Sequence, residues 1–264
     1  MKPSRLARDA IVLRRAPFSE TSQVVDLLTP DDGRLSVLAR GSYRDKSTFG
    51  GPLDVLTRGV ADVQRRKRSE LDLLHGFKIT QPWRGLRREL TTWLAASHAL
   101  ELVRAFAWPR DREPALFDAL AGVLELLDRA RERYEIEAYL TSFAGRVLAI
   151  AGFVPVLDAC VRCGGDVADA KRGWLSLAQG GLLCGSCSTP DRTAIVCSDG
   201  VVRLLRRALG GAPDATPGTA WTETVVSEAR RAIDLYVEYR LERPLLSRRL
   251  LDRAERSPSR EPVA

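Results

Sequence analysis

Cys160-Val-Arg-Cys163 and Cys184-Gly-Ser-Cys187 form two Cys-x-x-Cys pairs with 20 residues between them. Each pair turns tightly enough to aim two sulfurs at one point, and the stretch between them is long enough for a small hairpin. Four thiolates at this spacing make a tetrahedral metal site, and zinc is the expected ion. Gly164, Gly165 and Gly185 supply the permissive backbone that such knuckles need. Four sulfurs leave no open coordination position, so the single zinc expected here is structural, and a metal-dependent hydrolase is disfavoured. The plainer alternatives are free buried thiols or disulfides. Cys197, the fifth cysteine, reads as a small core residue.

Around this segment the periodicity changes twice. Asp9 to Arg15, Ser22 to Thr29, Arg34 to Arg40, Leu53 to Gln64 and Glu70 to Thr80 are β-prone runs, and Thr29-Pro-Asp-Asp-Gly33 is a turn. Five strands in about 80 residues suit a small Greek-key barrel of the OB type. From Arg84 the apolar period becomes helical. Helices are expected over the periodic positions Leu90 to Arg104, from Pro114 to about Arg131 and from about Glu135 to Ala151. Between the cysteine pairs, Trp174 to Leu177 and Gly181 to Cys184 flank Gln179-Gly-Gly and read as a hairpin, the arrangement of a zinc ribbon. Ser198 is a good N-cap for a helix over Val201 to Leu209. A long helix over about Thr222 to Glu242 and a short one over Leu245 to Arg253 follow. The expected class is therefore α+β: a barrel over 1–81, helices over 82–155, a ribbon over 156–192, helices over 193–253 and a flexible tail over 254–264.

Composition narrows the function. No run of about 18 apolar residues is present, which excludes a membrane-spanning helix, and the N-terminus lacks the apolar core of a signal peptide. Cysteines committed to metal agree with a cytoplasmic location. Of the net charge of +7, the first 80 residues carry +5, from 15 Lys and Arg against 10 Asp and Glu. A polyanionic partner at the barrel follows. Arg34, Arg40, Arg44 and Lys46 sit on or beside the third strand, and Arg65, Arg66, Lys67 and Arg68 crown the turn between the fourth and fifth. Those are the strands and loops that line the OB-fold groove. Tyr43 and Phe49 lie among them and are candidates for stacking on bases. A solvated turn would also look like the Arg65–Arg68 run.

Other features carry less. Arg203, Arg206 and Arg207 stripe one helix, as ordinary amphipathicity also would; Arg230-Arg231 and Arg248-Arg249 say less still. His75 and His98 read as structural or exposed, and Asp31-Asp32 as a solvated turn. Phosphate-loop and dinucleotide fingerprints are absent, so a turnover enzyme is not expected.

The order of features resembles the RecO family of bacterial DNA repair and recombination proteins. The match runs through Phe18-Ser-Glu20, Val25-Asp-Leu-Leu-Thr29, Gly33-Arg-Leu-Ser-Val-Leu-Ala-Arg-Gly41 and Lys46-Ser47. It continues through Trp174, Gly180-Gly181-Leu-Leu-Cys184-Gly-Ser-Cys187 and Glu242-Arg-Pro-Leu-Leu-Ser247. What the resemblance implies is a mediator located with the nucleoid. It would bind single- and double-stranded DNA through the barrel and anneal complementary strands. With the toroidal partner RecR it would help load the RecA recombinase onto strands coated by single-stranded DNA-binding protein, whose acidic C-terminal tail it would engage through the helical domain. By position, Arg34, Arg40, Arg44 and Lys46 would be DNA contacts. Because some relatives lack the cysteines, the zinc would be a scaffold. An OB-fold RNA-binding protein with no recombination role is the alternative that charge and fold leave open.

Overall fold

The computed structural model describes residues 5–66, 69–167, 172–210 and 221–256. The chain divides into two compact units, one of residues 1–89 with 103–128 and one of residues 90–102 with 129–264.

In the first unit five strands close a barrel: β1 (Arg5–Ser19), β2 (Ser22–Thr29), β3 (Gly33–Ala39), β4 (Arg58–Gln64) and β5 (Asp72–Gln81). The order around the barrel is β1-β2-β3-β5-β4. All pairs are antiparallel except β3 with β5, which run parallel from Val37 opposite Asp72 to Ala39 opposite Leu74. Alternate side chains, among them Val12, Val25, Leu27, Leu35 and Val37, fill the interior, as the two-residue period of a strand requires. This is the OB-like barrel expected. β1 is longer than the Asp9–Arg15 run because it serves two partners: Arg5 to Ile11 pair with β4 and Ile11 to Ser19 with β2. β4 starts at Arg58, not Leu53. Leu53 and Leu56 are buried instead of continuing the strand, and Leu56 has a φ of 57°, which breaks an extended backbone.

The turn before β3 also departs from its solvated reading. Asp32 pairs with Arg8 at 2.5 Å and with Arg65 at 3.3 Å, clamping the turn to β1 and to the end of β4. Gly33 has a φ of 63°, and a Cβ there would stand 1.8 Å from the Asp111 carbonyl oxygen. Only glycine serves at that point. Residues 103–128, which the helical periodicity grouped with the later helices, pack with the barrel. In α2 (Pro114–Arg129) Phe117 lies under the Arg58 guanidinium at 5.2 Å, and Asp128 Oδ1 accepts from the Leu86 N–H at 3.0 Å.

The second unit holds the first turns of α1 (Leu90–Phe106), then α3 (Arg133–Ile150), a ribbon, α5 (Asp199–Leu209), α6 (Glu223–Leu241) and α7 (Leu246–Arg256). The ribbon contains β6 (Arg172–Ser176), β7 (Gly181–Leu183), the short α4 (Gly185–Ser188) and β8 (Ala194–Ser198), with β6 central. β8 was not expected. It pairs with the otherwise open edge of β6, Arg172 opposite Ser198 through Ser176 opposite Ala194, and buries Cys197. Burial pushes the Cys197 thiol up to about 11, in keeping with a packed and unreactive residue. Ser198 caps α5 as its position predicts. The helix α7 extends to Arg256, so residues 254–256 of the expected tail are helical. No helix among the described residues is long and apolar enough to cross a membrane.

The N-terminus of α7 is capped from another helix. Glu101 of α1 accepts from the Leu246 N–H at 3.2 Å, the Ser247 N–H at 2.9 Å and the Ser247 hydroxyl. Burial alone would raise the Glu101 pKa, but these donors outweigh it and hold the carboxyl below its ordinary value. The group is stabilising while ionised. Its contribution is complete above the unfolded carboxyl pKa of about 4.3 and is lost as pH falls through the lower folded value. Glu101→Gln is therefore expected to cost about 1–3 kcal/mol at pH 7. The difference from the parent, followed by urea denaturation, should shrink below about pH 4.

Candidate nucleic-acid interface and metal centre

An open groove crosses the barrel where β1 turns into β2 and where β3 ends. Phe18, Ser22, Leu38, Arg40, Arg44 and Arg66 line it, with Ser69 and Leu71 from the β4–β5 loop. The turn from Gly41 to Arg44 is fixed before any ligand arrives. Tyr43 N–H donates to the Thr21 carbonyl at 3.1 Å, Gly41 N–H to Ser22 Oγ at 3.2 Å and Arg44 N–H to the Gly41 carbonyl at 3.1 Å. Arg66 is positioned by its N–H, which donates to the buried Asp72 Oδ1 at 2.9 Å. Among the described residues, no hydrogen bond or ion pair occupies the side chains of Arg40, Arg44, Lys46 or Arg66. No acidic side chain among the described residues lines the groove. Three cations with vacant donors converge there on an apolar floor, which suits a phosphate-bearing chain with planar bases.

The structure sorts the candidate residues. Arg40, Arg44 and Arg66 come together in the groove, and Lys46 is exposed on the adjoining loop. Arg34 is separate: its guanidinium donates to the Arg104 carbonyl at 3.0 Å. Arg65 is engaged with Asp32. Lys67 and Arg68 lie outside the described residues. Tyr43 is half-buried, and Phe49 packs against the barrel core, which leaves its ring little free face. The aromatic that does face the groove is Phe18, 59% exposed. A strand-end Phe beside Ser and Glu carried no periodic signal of its own; only the pairing of β1 with β2, and of β2 with β3, brings it to the arginines.

In the second unit the four sulfurs of Cys160, Cys163, Cys184 and Cys187 lie within 4.8 Å of one another, with Cys163 and Cys184 Sγ 3.8 Å apart. They can hold one metal ion. Each pair sits on its own knuckle. Cys160 N–H donates to the Gly165 carbonyl and Gly164 N–H to the Cys160 carbonyl, both at 2.8 Å, with Gly164 at a φ of 72°. Cys184 precedes α4, and the Cys187 and Ser188 N–H groups return to its carbonyl. Burial resists ionisation of Cys160, but N–H donors from Cys184, Cys163 and Arg162 prevail and bring it down to about 6. Cys187, surrounded by the other sulfurs with Cys184 foremost, is pushed up to about 12.

Of the arginine stripe of α5, Arg206 is spent on the ribbon. Arg206 donates to the Leu157 carbonyl at 2.6 Å and faces Asp158 at 3.3 Å, while Arg203 pairs with Asp199 at 3.0 Å. On the opposite flank Arg240 of α6 stacks over Tyr236 at 4.9 Å and donates to the Leu177 carbonyl. Arg230 is buried between Asp234 at 2.9 Å and Asp252 at 2.6 Å. Ser247, His98 and Asp234 line up in the manner of a catalytic triad: His98 Nδ1 is 3.1 Å from Ser247 Oγ and Nε2 is 3.4 Å from Asp234. The Ser247 hydroxyl, however, donates to Glu101, and the serine is only 8% exposed. A hydroxyl held by a carboxylate and closed to solvent has no path to a substrate. The trio locks α1, α6 and α7 together.

Two family models match this chain. The model described as Recombination protein O N terminal covers residues 1–83, and that described as Recombination protein O C terminal covers 87–249. A DNA repair protein RecO from Anaeromyxobacter dehalogenans strain 2CP-C is 34% identical over 250 residues, 94% of this chain and 96% of that protein. Proteins of the same name from Bifidobacterium adolescentis and Symbiobacterium thermophilum are 32% and 29% identical, over 92% of this chain and 98% and 95% of their own lengths. The barrel, the helices after it and these matches along nearly the whole length place the chain in the RecO family of DNA repair proteins.

Proposed function

We propose that this chain is a recombination mediator, not a turnover enzyme. It binds single- and double-stranded DNA in the barrel groove and anneals complementary strands. Together with RecR it loads RecA on strands coated by single-stranded DNA-binding protein, whose acidic tail docks on the helical unit. The observation that carries this reading is the groove itself, where Arg40, Arg44 and Arg66 stand without acidic partners around an exposed Phe18. Cations on a track recognise phosphates, and a π face accepts any base, which is what annealing without sequence preference needs. The chemistry is displacement and pairing, so no nucleotide need be hydrolysed.

Complementary oligonucleotides should anneal faster with this protein, both bare and coated with single-stranded DNA-binding protein, and without ATP. The pair Arg40→Ala with Arg44→Ala should weaken single-strand binding and flatten the slope of log K against log salt by about 1.4, at about 0.7 per lost phosphate contact. An unchanged slope would remove these residues from the interface. A strong preference for RNA over a matched DNA strand would favour the RNA-binding alternative.

We also propose that the four thiolates hold one structural zinc. Zinc–sulfur bonds of about 2.3 Å place tetrahedral sulfurs about 3.8 Å apart, and the Cys163–Cys184 separation of 3.8 Å fits. The metal would tie the two knuckles together and so fix the ribbon that Arg206 and Arg240 hold against α5 and α6. Because metal displaces thiol protons, affinity should fall as pH drops from 8 through about 6, where Cys160 regains its proton. Cobalt(II) titration, read by its thiolate charge-transfer band, should saturate at about one ion per chain and should fail in Cys184→Ala. Retained one-to-one binding in that variant would rule out the four-sulfur site.

A further inference from the structure

Trp108 is 75% exposed, the most solvent-accessible of the large apolar side chains described. It stands on the segment joining α1 to α2, and that segment is held stiffly to the barrel. β3 pairs with β5 only from Val37 onward, which leaves the first half of β3 without a neighbour on that side. Residues 108–111 take the vacant edge. Pro109 bridges to Arg34 in parallel fashion, Arg110 N–H donates to the Arg34 carbonyl at 2.9 Å, and the Arg34 guanidinium donates to the Arg104 carbonyl at 3.0 Å. Gly33 makes room for the Asp111 backbone. Arg110 itself sits at a φ of 60°, an unfavoured conformation for a residue with a Cβ, kept because its N–H and its guanidinium are both engaged.

The link to the groove is Asp72. Its buried Oδ1 accepts from the Arg66 N–H at 2.9 Å and from Arg110 Nη2 at 3.3 Å. One carboxylate thus joins the β4–β5 loop of the groove to the strap that carries Trp108. Arg112, exposed and with no hydrogen bond or ion pair among the described residues, adds a cation two residues further on. We infer that single-stranded DNA leaving the groove continues over this strap, with a base stacked on the Trp108 indole and the backbone beside Arg112. A pre-positioned aromatic beside an available cation is the arrangement that single-strand binders use, and rigidity lowers the entropy lost on stacking. From Arg40 to Arg34 is about 20 Å at about 3.3 Å per residue. A strand rising at least about 3.4 Å per nucleotide spans that with about six nucleotides or fewer. This inference rests on the groove reading proposed above.

The test is equilibrium binding of oligothymidylates of about 4 and about 16 nucleotides, read by anisotropy and by tryptophan quenching, with circular dichroism to verify the fold. Trp108→Ala should lose most of the quenching by the longer strand and bind it roughly 5- to 100-fold more weakly. It should leave the short strand unaffected, and Trp108→Phe should restore most of the lost affinity but not the quenching. Unchanged affinity and quenching in Trp108→Ala, alongside weakened binding in Arg40→Ala with Arg44→Ala, overturns the extended track and leaves the groove standing. Equal weakening for both lengths also overturns it. If the parent protein binds neither strand, the groove reading itself fails.

Discussion

Closure of the barrel depends on β1. One continuous strand pairs with β4 through its first half and with β2 through its second, so every other strand is held in a ring and almost no edge is left open. The single weak place is between β3 and β5, where the parallel pairing covers only three positions. At the C-terminal end of that pairing lies the groove with Arg40, Arg44 and Arg66. At the open end the Trp108 strap substitutes for a strand. Both candidate binding features therefore arise from one topological fact, the short β3–β5 contact.

Charge alone does not mark the interface. The first third of the chain is rich in arginine, yet several of those side chains are engaged. Arg8 and Arg65 hold Asp32, Arg58 holds Asp9, and Arg34 holds a carbonyl. The same holds in the second unit, where Arg206, Arg230 and Arg240 anchor helices to the ribbon or to one another. Arginine suits such work because its planar fork satisfies several acceptors at once. What distinguishes Arg40 and Arg44 is that they project from a turn fixed by backbone bonds and meet no acid. A guanidinium with vacant donors is available to phosphate; one already paired must first give up its partner.

The second unit is held by local chemistry of a different kind. The ribbon is too small to bury a core of its own, so its order depends on the clustered sulfurs and on the arginines that dock it to α5 and α6. The helices around it are joined by buried polar groups: Glu101 accepts from Ser247, Ser247 meets His98, and Arg230 pairs with Asp234. Removing any one leaves a buried partner unpaired, which is why this cluster resists reading as an active site and makes sense as a lock.

Local patterning determined a good deal by itself. The cysteine spacing, the strand runs with their turns, the Ser198 cap and the helix following Pro114 are written in neighbouring residues, and their geometry follows from short-range sterics and hydrogen bonding. Helix ends and strand starts shifted where a distant partner intervened: β1 lengthened because it has two neighbours, and β8 exists because β6 had an edge to fill. The groove's aromatic was legible to neither composition nor period, since Phe18 and the arginines become neighbours only on closure. In the same way Arg34 and Arg40 look alike along the chain and differ entirely in the fold. Sequence set the elements and the charge available; tertiary structure decided which arginines were left unpaired, because pairing depends on what folding brings within about 4 Å.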